Sequence, residues 1–331
     1  MNPTAAISVQ NVKRSFRSVK KEEGWRGTLK LLFHPEYIEH QALKGITFSI
    51  PRGEFVGLIG ANGAGKTTLL KILSGLIPPT TGEARVLGHI PFERSIEFRK
   101  EISLVMGQKA QLWWDLPAIE AFDLLRALYQ IPNDIYRKRL DELTSLLDVT
   151  RLLNTQIRRL SLGERMKMEV IGAIIHLPKV IFLDEPTIGL DVLAAQKLRE
   201  FLKIHNQKEG ATIILTSHNM DDISELCKRI ILIKEGAMIF DGDPKTLTGK
   251  DECQLRIQLT SEPSFGDLAS ALAISESQIS KDDEDPTTYR LNIPRSKVAE
   301  YFQRLVQLYP VTDIGIQEPS LERVIQRIYQ E

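Results

Sequence analysis

The run Gly60-Ala61-Asn62-Gly63-Ala64-Gly65-Lys66-Thr67 fits the pattern GxxxxGK[ST] and lies between an apolar stretch, residues 54–59, and a stretch of helical periodicity, residues 66–76. A strand that turns on glycines straight into a helix leaves few folds open, because backbone amides and a helix start must converge in the turn. Such a convergence suits phosphate. Unpaired N–H groups carry positive partial charge, Lys66 adds a full charge toward β and γ phosphates, the Thr67 hydroxyl suits a Mg²⁺ shell, and Thr68 beside it is counted with the nucleotide-binding loop. The plain alternative is a glycine-rich turn with a surface lysine; the strand-then-helix setting argues against it.

The rest of the chain reads as α/β. Residues 46–50, 54–59, 102–106, 180–183, 212–216 and 230–233 are short runs, several apolar on both faces, and they alternate with helical patterns at 66–76, 119–129, 163–176 and 193–207. That alternation predicts a mostly parallel sheet. Residues 7–12 alternate, and Lys234-Glu235-Gly236 joins two short strands, which predicts a flanking antiparallel layer. The mixed-charge segment Arg17 to Glu39 reads as a surface insertion. The first domain is set at residues 1–248. A small α+β domain over 249–331 follows, with strands at 254–259 and 289–293 and helices at 298–308 and 321–329.

Charge narrows the partners. Forty-three Lys and Arg balance 43 Asp and Glu, so the broad basic field of a sequence-independent nucleic-acid binder is missing, and no nucleic acid is expected. Two cysteines, Cys227 and Cys253, with no histidine at ligand spacing, argue against a zinc site or a disulfide framework. Apolar runs stop short of the roughly 18 residues of a membrane span, so the chain is not expected to cross a bilayer by itself.

Asp184 and Glu185 end the apolar run 180–183, at the strand end where α/β sheets hold ligands. Asp184 suits the Mg²⁺ shell, and Glu185, one residue further, suits accepting a proton from water that attacks the γ-phosphate. The alternative is an acidic turn stopped by Pro186.

In order along the chain stand the phosphate loop, Gln108, Leu160-Ser161-Leu162-Gly163-Glu164, Asp184-Glu185, Gly189-Leu190-Asp191 and His218. This ordered set resembles the nucleotide-binding subunits of ATP-binding-cassette (ABC) transporters, over about residues 7–248. The resemblance implies a P-loop NTPase cassette, with a helical subdomain at about 109–177, that hydrolyses ATP with Mg²⁺ and pairs head to tail, as a homodimer or with a second cassette subunit. Ser161 and Gly163 of one copy would then cover the nucleotide on the loop of the other, with Asp191 among the nucleotide-binding residues. It further implies Glu185, His218 and Gln108 as catalytic residues, and Thr67, Gln108 and Asp184 as Mg²⁺ ligands. Leu162 and Glu164 stand where Gly and Gln are most often found, which implies a weaker or slower dimer. Ser161 and Glu164 also form a capping box, and the two roles are compatible.

For the adenine ring, Phe16 fits the end of the first strand and Tyr37 the usual spacing to Lys66; Phe16 is taken as the stacking residue. The resemblance places the chain at the cytoplasmic face of the cell membrane, on an ABC-2-like integral-membrane permease. Trp113, Trp114, Leu116 and Pro117 either line a groove for that permease or pack internally. The tail Glu318-Pro319-Ser320-Leu321-Glu322-Arg323-Val324 looks like those of exporter cassettes. A cassette ATPase serving nucleic acid or the ribosome would carry a long heptad insertion or two cassettes, and neither is present. A nucleotide-gated subunit with little turnover stays open.

Overall fold

The computed structural model describes residues 5–19, 37–107, 110–247, 252–282, 285–317 and 321–330. Two long strands, β1 (Ala5–Val19) and β2 (Tyr37–Pro51), lead into β3 (Phe55–Gly60) and helix α1 (Lys66–Leu73). Then come β4 (Thr81–Val86), α2 (Ile96–Glu101), β5 (Ile102–Met106), α3 (Ala118–Tyr129), α4 (Asn133–Leu146) and α5 (Leu162–Ile174). The first part closes with β6 (Val180–Asp184), α6 (Val192–Glu209), β7 (Thr212–Thr216), α7 (Met220–Leu226), β8 (Arg229–Lys234) and β9 (Ala237–Gly242).

Six strands form one sheet in the order β5-β6-β7-β3-β8-β9, parallel except for the β8–β9 hairpin. All six residues of β3 are buried, and so are all five of β7, which is the pattern of strands covered on both faces. Strands β2-β1-β4 make a separate antiparallel layer. Their inward residues, among them Ile7, Val9, Leu43, Ile46 and Val86, join Leu69, Ile72 and Leu73 of α1 and Leu58 of β3 in one core. Helix α1, with Ala64 at the end of the phosphate loop, therefore packs between two sheets.

The segment read as an insertion begins and ends inside strands. Arg17 pairs with Glu39, Ser18 with Ile38 and Val19 with Tyr37, continuing the β1–β2 ladder. Backbone pairing needs no apolar side chains, so charge composition hid these strand ends; residues 20–36 lie outside the described residues.

The chain divides into two compact units, Met1–Gly242 and Asp243–Glu331. The second runs α8 (Pro244–Leu247), β10 (Glu252–Leu259), α9 (Phe265–Leu272), β11 (Ile279–Lys281), β12 (Thr288–Pro294), α10 (Val298–Leu308), β13 (Val311–Gln317) and α11 (Leu321–Gln330). Its antiparallel sheet has the order β11-β12-β10-β13, and from β10 to β13 its elements follow the split βαβ pattern. Leu255, Ile257, Tyr289 and Leu291 face Leu268, Leu272 and Leu305 of the helices. Helix α8 packs against α11, which sets the division ahead of residue 249. Of the tail motif, Glu318, Pro319 and Ser320 lie outside the described residues.

Candidate nucleotide site

Strands β3, β7 and β6 end side by side, and each delivers part of the site. From β3 the chain enters the loop and then α1, whose N-cap Gly65 has φ 109° and supplies no side-chain cap. Only glycine suits this position: a Cβ there would lie 2.5 Å from the Ala42 carbonyl oxygen, in a backbone region that L-residues avoid. The first amides of α1 thus keep their partial positive charge facing the loop. Lys66 is buried, and its Nζ donates to the carbonyls of Gly60 (2.5 Å) and Ala61 (3.2 Å). Burial pushes its pKa down, and the charges of Glu185 and Asp184 oppose that shift.

From β6 come the carboxylates. Asp184 Oδ2 accepts from Thr67 Oγ1 at 2.9 Å, and Oδ1 accepts from Thr216 Oγ1 at 2.6 Å. Glu185 has φ 56°, a left-handed conformation that costs a non-glycine residue about 1–3 kcal/mol. Its amide donates to the Thr216 carbonyl (3.0 Å) and Thr216 Oγ1 (3.1 Å), which hold the strained turn. From β7, His218 brings Nε2 to 2.9 Å from Glu185 Oε1. Below it, Asp222 is fully buried and accepts from Ser217 Oγ (2.6 Å), Thr187 Oγ1 (2.5 Å) and Arg199 Nη1 (3.0 Å). This network ties the residue before His218 to the turn after Glu185.

A cavity of about 260 Å³ is lined by the whole loop from Ala61 to Thr68, with Phe16, His40, Ala42 and Glu185. Phe16 stands at its rim with the Arg14 guanidinium 4.7 Å from its ring centre. Tyr37 is three residues from His40 along β2, paired with Val19 and exposed. Gln108 lies outside the described residues; its neighbour Gly107 donates its amide to the Asp184 carbonyl at 2.8 Å.

The remaining sequence-derived residues gather elsewhere. Ser161 caps α5 as an exposed residue, Gly163 sits beside Leu190 and Ala194, and Leu162 packs on Gly189. Asp191 caps α6 by accepting from the Ala194 amide at 2.8 Å. Ser161, Gly163 and Asp191 line no part of the loop cavity. The Ser161 hydroxyl donates to Glu164 Oε2 (2.9 Å), and the same oxygen takes the Ser161 amide (3.0 Å), so within one chain this hydroxyl is not free for a phosphate. These two bonds hold the Glu164 carboxyl below its ordinary range.

Sequence reasoning missed Thr216, Asp222 and Arg199. The signal for the last two was a charged residue on the buried face of each of α6 and α7, which requires a partner.

The ABC transporter family profile matches residues 43–188, which hold the loop and both carboxylates. The ABC transporter ATP-binding protein NatA of Bacillus subtilis is 31% identical over 207 residues, covering 62% of this chain and 84% of NatA. The linearmycin resistance ATP-binding protein LnrL of the same organism is 28% identical over 295 residues, covering 87% of this chain and 93% of LnrL. Among solved structures, the dimeric post-hydrolysis state of the ATP-binding cassette MJ0796 bound to ADP and Pi superposes with a TM-score of 0.60 at 26% identity. That match covers 72% of this chain and 98% of the other. A loop built for phosphate, a carboxylate pair at its edge and these relatives lead to one assignment: the chain belongs to the ABC transporter ATP-binding family and is an ATPase.

Proposed function

We propose that this chain is the energy-supplying subunit of a membrane exporter, working as a cassette dimer on a separate permease. The observation that carries it is the convergence of Lys66, Thr67, Asp184, Glu185 and His218 at the ends of three adjacent strands. Loop amides and Lys66 bind and orient the triphosphate, and Phe16 at the rim offers its ring to adenine. Thr67 Oγ1 and Asp184 are hard oxygen donors already within hydrogen-bond distance of each other, the donor set that fits Mg²⁺; Gln108 would complete it. When bound, the cation supplies charge neutralisation at the phosphate oxygens. Glu185 Oε accepts the proton of the attacking water, and His218 Nε2 fixes that carboxylate. Ser161, Gly163 and Asp191, clustered on their own surface, serve the nucleotide of a facing copy.

Work on the permease is read from a second groove, of about 300 Å³, lined by Trp113, Leu112, Leu125, Tyr129, Arg99 and Glu169. Trp113 is 45% exposed there, which suits an apolar segment of a partner. Among the described residues no helix is long and apolar enough to cross a membrane, so the span would come from that partner. Export is favoured because the match to LnrL, a resistance protein by its name, is longer than the first unit and so runs into the second. An ABC-2-like permease and a place at the cytoplasmic face follow from the same reading. A second reading, a nucleotide-gated subunit with slow turnover, is favoured by one observation, the Glu164 clasp on Ser161.

Affinity purification from detergent-solubilised membranes tests the proposal: a multi-span protein should copurify. Recovery of ribosomes or nucleic acid in its place would overturn it.

A further inference from the structure

Halfway along α5, whose first turn carries Ser161, a carboxylate is buried. Glu169 is 6% exposed, between Met168 and Val170, with Arg165 one turn before it on the same helix. Its Oε1 and Oε2 lie 3.0 and 3.2 Å from the Gln111 amide and 3.3 and 3.2 Å from the Leu112 amide. Burial pushes this carboxyl up, and the two amides oppose the shift. A carboxylate this deeply buried is costly unless donors hold it, and the Gln111 and Leu112 amides are those donors.

What it holds is the start of the segment that carries both tryptophans. Leu112 seats against α5 because residue 172 is glycine: a Cβ there would lie 3.0 Å from Leu112 Cδ2 and 3.1 Å from Leu125 Cδ1. Farther on, the Arg165 guanidinium lies 5.3 Å from the Trp114 ring centre. The Arg158 amide donates to the Trp114 carbonyl, and the Ile157 amide to the Leu116 carbonyl, each at 3.1 Å. Residues 111–116 are thus joined to α5 at Glu169 and Arg165, and to the turn that precedes α5 at Ile157 and Arg158.

We propose that Glu169 is a positioning residue that fixes residues 111–114 onto α5, so that the Trp113–Trp114 surface and the Ser161 turn move as one body. The fixing stands by itself; its use in coupling nucleotide to the groove rests on the functional reading above. With Glu169 in place, a displacement at either end is passed to a rigid helix.

Hydrogen exchange read by mass spectrometry on the full chain tests this, comparing wild type, Glu169→Gln and Glu169→Ala without nucleotide and with Mg²⁺ and a slowly hydrolysed ATP analogue. Without nucleotide, residues 110–116 should exchange about tenfold faster or more in Glu169→Ala, while Glu169→Gln, which keeps an acceptor oxygen, stays close to wild type and strand β6 is unchanged in all three. With nucleotide, residues 110–116 and 161–165 should change together in wild type and Glu169→Gln, and the response at 110–116 should vanish in Glu169→Ala. Equal exchange of 110–116 in all three chains, or a nucleotide response there that survives alanine, would overturn the proposal. Absence of any nucleotide effect at residues 60–68 of wild type would contradict the ATP reading alone, since the nucleotide-free comparison still decides the role of Glu169. Should alanine impair folding, Glu169→Asp, which withdraws the carboxylate by one methylene, repeats the test.

Discussion

Helices α1 and α5 both begin at turns rich in glycine or serine, yet their first turns are finished in opposite ways. Gly65 leaves the start of α1 without a side-chain cap, beside the buried ammonium of Lys66. Ser161 and Glu164 close the start of α5 with a reciprocal box that places a carboxylate over the helix end. A helix start is positive in either case. Among the described residues no side chain caps the first, which on the proposed function leaves it open to an anion, whereas the second is closed by its own Ser161–Glu164 box. On the proposed function the two starts would divide the labour of a shared site: one would bind phosphate from the outset, and the other would have to give up an internal partner to do so.

That contrast can be broken at either start. The largest effect is expected beside the open one, where Glu185→Gln should slow hydrolysis by about 10²- to 10⁴-fold with ATP still bound, as single-turnover kinetics would show; wild-type-like turnover would remove Glu185 as the proton acceptor. Lys66→Ala takes the charge from the loop and should weaken ATP binding by about 10- to 100-fold in a fluorescent-nucleotide titration, from the loss of charge-assisted hydrogen bonds. The smallest change sharpens the comparison from the other side. Glu164→Gln preserves the capping box but removes its charge, making the α5 start resemble that of α1. ATP-dependent association in the Glu185→Gln background should tighten by about 3- to 10-fold in analytical ultracentrifugation. An unchanged association constant would mean that the Glu164 charge does not oppose the trans contact.

Much of this was legible in the sequence for physical reasons. Strands β3, β6 and β7 announce themselves because a strand buried on both faces has to be a short, nearly continuous apolar run. The loop is legible because close backbone approach demands glycine, and the carboxylate pair because Pro186 marks a strand end. Strand β4, Thr-Gly-Glu-Ala-Arg-Val, escaped notice: only Ala84 and Val86 turn fully inward, and an edge strand needs no more. The same blindness hid the ends of β1 and β2. At the site, Thr67, Asp184, Glu185 and His218 could be gathered from motif order, but Thr216 and Asp222 could not. They hold Glu185 and the stretch around His218 in place, a role that depends on which strand ends lie side by side. Glu169 was invisible for the same reason, since its partners stand 57 and 58 residues away in sequence.

The central claim is that ATP closes two copies of this chain around the open helix start of one and the clasped start of the other. Light scattering on Glu185→Gln, with and without saturating ATP and Mg²⁺, tests it most directly. The account predicts a monomer's mass without nucleotide, twice that mass with it, and reversion to the monomer when Ser161→Arg is added. A monomer at saturating ATP, or a nucleotide-dependent dimer that Ser161→Arg leaves intact, would contradict it.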